Sequence, residues 1–68
     1  MTPELKTWLD GNDMRVATLS RVRGLYEVRL WDYPADGRNG PHGEGKNEDS
    51  DHAERIAVLD WQRKEEDR

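Results

Sequence analysis

Two nine-residue runs, Met14–Val22 and Leu25–Tyr33, are rich in Val, Leu, Thr, Tyr and Trp, and only Arg23-Gly24 separates them. Two β-favouring runs around a two-residue, glycine-bearing break predict an antiparallel hairpin. Gly24 can adopt the positive φ that such a turn needs, although Arg is not a favoured first turn residue. Placing this pair at the turn sets the register. Val22 then stands opposite Leu25, Arg21 opposite Tyr26, Leu19 opposite Val28 and Ala17 opposite Leu30. Period-two alternation puts Ala17, Leu19, Tyr26, Val28 and Leu30 on one face, which reads as the core side. The other face carries Val16, Val22, Leu25, Trp31 and Tyr33, interrupted by Thr18, Ser20, Glu27 and Arg29. It is unusually apolar for a surface left to water.

The segments flanking the hairpin supply what can cover it. Thr2-Pro3-Glu4-Leu5 reads as a helix start, with Thr2 as N-cap, Pro3 at the first helical position and Glu4 at the favourable end of the dipole. Leu5, Trp8 and Leu9 recur at helical spacing, and Gly11 is a natural stop, so a short helix over 3–10 is expected. Residues 34–50 hold four of the six glycines and two of the three prolines, with Ala35 their one apolar residue. They read as a long, polar, Gly-rich, flexible loop. Over 51–66, Asp51 followed by Glu54 resembles a capping box, and the composition favours a C-terminal helix. The run Ile56-Ala57-Val58-Leu59 leaves a third antiparallel strand open as the alternative. The fold expected is therefore α+β: short helix, hairpin, long loop, and a helix or third strand, in one domain over 1–68.

Size narrows the functional classes. Sixty-eight residues lie near the lower limit for a self-sufficient core, and the chain is 32% hydrophobic against 38% charged. It has no cysteine, so disulfides and thiolate metal sites are excluded and a reducing, cytoplasmic setting is expected. No apolar run reaches membrane-spanning length, and Met1-Thr2-Pro3-Glu4 lacks the basic and apolar stretches of a signal peptide, so no membrane partner is expected. The remaining routes to stability are tight packing, self-association or folding on a partner.

The net charge of -4 is uneven. Residues 14–33 set four arginines against Glu27 and Asp32, a surplus of +2, whereas 44–68 carry nine acids against five bases, a deficit of -4. An acidic chain with one basic patch argues against general nucleic-acid affinity. A local contact through Arg15, Arg21, Arg23 and Arg29, with Tyr26 and Trp31 stacking on bases, is the alternative. The bland reading is that these arginines keep the hairpin edges from pairing with other chains.

Catalytic chemistry finds little support. His42 with Glu44, and His52 with Asp49 and Asp51, have metal-ligand character, but a loop supplies atoms without fixed geometry. Both histidines are expected to be solvated and dispensable for folding, with no metal and no cofactor. Ser20 and Ser50 lack a nucleophile-elbow context, and the glycines from Gly37 to Gly45 lack the lysine spacing of a phosphate loop. Trp8 and Trp61 are expected to staple their elements into the core, while Trp31 lies opposite the better core face. The expectation is a small, soluble, acidic, non-enzymatic protein, a regulator or inhibitor acting by stoichiometric binding. Compact accessory proteins of phages and mobile elements share this general character. Val16, Leu25, Arg29, Trp31 and Tyr33 are the partner-binding candidates, and the partner is another protein or a second copy.

Overall fold

The structure, a computed structural model, describes residues 1–32 and 42–67. Helix α1 spans Pro3–Asp10, strands β1 and β2 span Arg15–Val22 and Leu25–Asp32, strand β3 spans Gly43–Asn47, and helix α2 spans Ser50–Glu66. The strands form one antiparallel sheet in the order β1-β2-β3. Both helices lie on one side of it: α2 packs chiefly on β3 and β2, and α1 packs on α2 and the edge of β1.

The hairpin has the register its turn dictates, with Val22 opposite Leu25 and Arg15 opposite Asp32. Arg23 and Gly24 both have positive φ (53° and 81°), the conformation of a two-residue turn whose twist matches the strands. Helix α1 also starts as its sequence directs. Thr2 Oγ1 accepts from the Leu5 N–H at 3.2 Å, and Pro3 occupies the first turn. The Thr2 N–H in turn donates to Glu54 Oε1 at 2.7 Å, which ties the start of α1 to α2 through a buried carboxylate.

Residues 51–66 are helix, not strand, and the helix begins two residues earlier than the Asp51–Glu54 pair implies. Asp49 is the N-cap, accepting from the Asp51 N–H at 2.9 Å, and Glu54 is engaged with Thr2 instead. The third strand comes from within the stretch read as a loop. Residues 43–47 form β3, pairing Gly43 with Leu30, Gly45 with Val28 and Asn47 with Tyr26. Its alternation is real but is carried by glycine: Gly43 and Gly45 are buried against α2, while Glu44 and Lys46 point to the other face. Across from them lie Ala53 and Ala57, one helical turn apart and wholly buried. Small residues on both elements let backbone approach backbone, so α2 can pack closely with few large side chains. Of the same stretch, residues 34–41 lie outside the described residues.

The core is Leu5, Trp8, Val28, Leu30, Ala53, Ala57 and Val58, with Leu9, Ala17, Tyr26 and Trp61 partly buried against it. Leu19 belongs to the same sheet face but remains exposed, at the rim of a groove it shares with Leu5 and Leu9 of α1. Among the described residues no helix is long and apolar enough to cross a membrane.

Candidate protein-docking face

The pairing lines up four rows on the helix-free face of the sheet: Val16–Trp31, Thr18–Arg29–Glu44, Ser20–Glu27–Lys46 and Val22–Leu25. The two middle rows form a closed ionic ladder. Arg29 Nη2 lies 2.5 Å from Glu27 Oε1 and its Nε 3.5 Å from Glu44 Oε1, while Lys46 Nζ lies 3.3 Å from Glu27 Oε2. Two acids and two bases cancel, so the middle of the face is polar but neutral. Apolar ground flanks it at both ends. Val22 and Leu25 are exposed at the turn, where they line a 320 Å³ depression with Arg23, Glu27 and Lys46. At the far end Val16 is exposed beside a half-buried Trp31. Among the described residues no element covers any of these rows.

Of the sequence-derived binding candidates, Val16, Leu25, Arg29 and Trp31 therefore share one face, with Leu25 at its opposite end from Val16 and Trp31. Tyr33 lies outside the described residues. The four arginines do not share a face. Arg15 and Arg21 point to the helix side, Arg23 sits in the turn, and only Arg29 is on the helix-free face. Arg21 stacks on Tyr26, its guanidinium carbon 5.3 Å from the ring centroid.

Arg15 has a structural role that sequence spacing did not reveal. Its guanidinium lies between two indoles, 4.9 Å from the Trp8 centroid and 4.6 Å from that of Trp61. Its Nη1 donates to Trp8 O at 2.6 Å and its Nε to Asp32 Oδ2 at 3.1 Å. The two indoles meet edge to face at 5.8 Å, so Trp8 and Trp61 do staple α1 to α2, with a cation as the third member of the stack. Arg15, Trp8 and Trp61 form one wall of a 710 Å³ groove between the helices, also lined by Glu4, Arg55 and Leu59. Trp8 and Arg15 are seven positions apart and Arg15 and Trp61 forty-six, so no local motif signals the cluster.

His42 is not a solvated loop residue. Only 3% exposed, it donates its backbone N–H to Leu30 O at 2.9 Å, and its ring meets Trp61 edge-on at 6.2 Å. Its Nε2 lies 3.5 Å from Glu65 Oε1. His52 is exposed and sits 3.3 Å from Asp49, as a surface residue would. Among the described residues no three His, Asp or Glu side chains converge as metal ligands would.

Two carboxylates hold α2 in place. Hydrogen bonding from the Asp51 N–H, and then from His52, keeps the Asp49 carboxyl below its ordinary value. Partial burial pushes Asp60 upward, but bonds from Arg63, Lys64 and the Glu44 N–H together outweigh it and leave a net lowering. The Glu44 bond, 3.0 Å long, anchors β3 to α2 at the outer edge of the sheet. No family model, curated protein or solved structure matches this chain.

Proposed function

We propose that this chain is a small cytoplasmic, non-enzymatic binding protein, a regulator or inhibitor that docks stoichiometrically on another protein through the helix-free face of its sheet. The observation that carries this reading is the layout of that face: exposed apolar residues at both ends of a self-neutralised ionic ladder. Apolar ground flanking a polar, net-neutral centre favours a protein surface over a polyanion. Phosphate binding needs unspent positive charge, and Arg29 and Lys46 are each paired with an acid.

Affinity capture from native cells, followed by calorimetry on the purified partner, tests this. A defined stoichiometry and little dependence on salt are expected, with at least tenfold weaker binding for Val22→Glu or Leu25→Glu. Arg21→Glu, on the opposite face, should leave affinity unchanged. Binding to single- or double-stranded nucleic acid that falls steeply with salt, and collapses in Arg21→Glu plus Arg29→Glu, would replace this reading with the nucleic-acid one.

A further inference from the structure

The two edges of the sheet are treated differently. In β3 the pairing turns the main-chain groups of Glu44 away from β2, and Asp60 of α2 caps the Glu44 N–H there. In β1 a two-residue turn makes Val22–Leu25 a hydrogen-bonded pair, so the N–H and C=O of Ala17, Leu19 and Arg21 point away from β2. The His42 N–H bond to Leu30 O agrees with this alternation, since it shows Leu30, the partner of Ala17, bonding toward β3. Among the described residues no side chain donates to or accepts from those edge groups of β1. The pairing with β2 runs unbroken over all eight residues, without bulge or proline. The charged residues of β1 are Arg15, held by Asp32 and two indoles, and Arg21, whose guanidinium is folded over Tyr26 on the helix side and away from the strand's edge groups. An open edge of this kind is a template for another strand.

We propose that the added strand is β1 of a second copy, paired antiparallel about a twofold axis through Leu19 to give a continuous six-stranded sheet. The sequence of β1 is self-complementary in that register. Leu19 faces its own counterpart, Val16 faces Val22 of the second copy, Thr18 faces Ser20, and Ala17 faces Arg21. Leu19, Val16 and Val22 are 56%, 42% and 52% exposed in the protomer, and this one register pairs all three apolar side chains with each other. A twofold at Thr18 would set Arg15 against Arg21 and Val16 against Ser20. A twofold at Ser20 would set Leu19 against Arg21.

Helix placement selects the same register. Helix α1 lies over the Arg15–Ala17 end of β1, where Trp8 O accepts from Arg15 and where Leu5 and Leu9 share a 310 Å³ groove with Ala17 and Leu19. Pairing Ala17 with Arg21 staggers the two α1 helices by four residues, about 13 Å along the strand. That clears a helix diameter of about 10 Å, and the Thr18 register would bring the two helices about 7 Å closer along the strand. Leu19 and its counterpart then fill the space between the helices. The helix-free faces of both copies lie on the same side of the joined sheet, so dimerisation leaves the Leu25 end of each docking face open.

Sedimentation equilibrium is expected to give twice the 8.0 kDa protomer mass at micromolar concentration, and Leu19→Lys is expected to give a monomer with wild-type circular dichroism. The absence of cysteine permits a geometric test of the register. Leu19→Cys places two thiols at a hydrogen-bonded pair, where Cα atoms lie about 5.5 Å apart, within disulfide reach. Mild oxidation should convert it to covalent dimer. Arg23→Cys should not cross-link, because the proposed register sets the two copies of residue 23 about 26 Å apart. A wild-type monomer at hundreds of micromolar, a dimer that survives Leu19→Lys, or equal cross-linking of the two cysteine variants would overturn the proposal. Partner binding through the Leu25 face by a monomeric chain would sink the dimer and spare the docking face. A dimer indifferent to Leu25→Glu in every binding assay would do the reverse.

Discussion

A side chain at Gly45 has nowhere to go: a Cβ there would collide with the Ala53 carbonyl oxygen and lie 2.6 Å from Ala57 N. At Gly43 it would meet Ala57 O at 2.7 Å and Trp61 Cβ at 2.8 Å. These neighbours are helix backbone and core, not flexible side-chain ends, so Gly45→Ala should cost about 1–3 kcal/mol in urea denaturation, as overpacking does. A cost near zero would mean that β3 does not pack on α2 as described. Arg15 gives the opposite case, a charge that cannot be removed alone. Its side chain is 16% exposed and that of Asp32 4%, so Arg15→Ala leaves a nearly buried carboxylate without its counter-charge, at a cost of about 3–5 kcal/mol. Replacing both members, as Arg15→Met with Asp32→Leu, should recover much of that loss. Non-recovery would show that Arg15 matters chiefly through the two indoles. His42→Ala should lower stability by about 1–3 kcal/mol, since it removes a buried polar group from its partners, while His52→Ala should change little. Equal melting temperatures for the two variants would contradict the burial of His42.

At the scale of elements, α2 depends on pH through two carboxylates. The folded-state values of Asp49 and Asp60 are both lowered from the ordinary 3.8, so folding favours their ionised forms. The stability they supply is present above the unfolded carboxylate range and is lost as pH falls through the lowered folded values. Asp49→Ala should therefore shift the urea midpoint downward at neutral pH, and the shift should shrink as pH falls below the carboxylate range. A shift of equal size at neutral and acid pH would assign the effect to helix propensity instead of the cap.

The elements also show where the sequence could be read. Helix α1 was legible because Thr2, Pro3 and Gly11 are local signals of start and stop. The hairpin was legible down to its register because a two-residue turn leaves no freedom in pairing. Strand β3 was not, because its inward positions are glycine, which looks like loop until Ala53 and Ala57 are set against it. The signal present was small residues at period two in one segment facing small residues at period four in another. Of the candidate docking residues, alternation placed Val16, Leu25, Arg29 and Trp31 together on what the structure shows to be the helix-free face. It could not show that the ladder closes, because Glu44 and Lys46 arrive on a strand that pattern did not reveal. The Arg15 stack joins three elements and has no local trace at all.

At the scale of the whole molecule, a sheet with both helices on one side keeps one face and one edge that no described residue covers. Few apolar side chains are buried, and part of the apolar complement, including Leu19, Val16, Val22 and Leu25, remains on the surface. If a second copy closes the β1 edge as proposed, association stabilises the fold and the melting temperature should rise with protein concentration. If β1 is an open edge that a second copy closes, amide hydrogen exchange read residue by residue shows the closure. In dilute protein the Thr18 and Ser20 amides, bonded within the hairpin, should be protected while those of Ala17, Leu19 and Arg21 exchange freely. In concentrated wild-type protein the latter three should become protected together, and in Leu19→Lys they should not. Free exchange of Ala17, Leu19 and Arg21 at every concentration, beside protected Thr18 and Ser20, would contradict the closed edge.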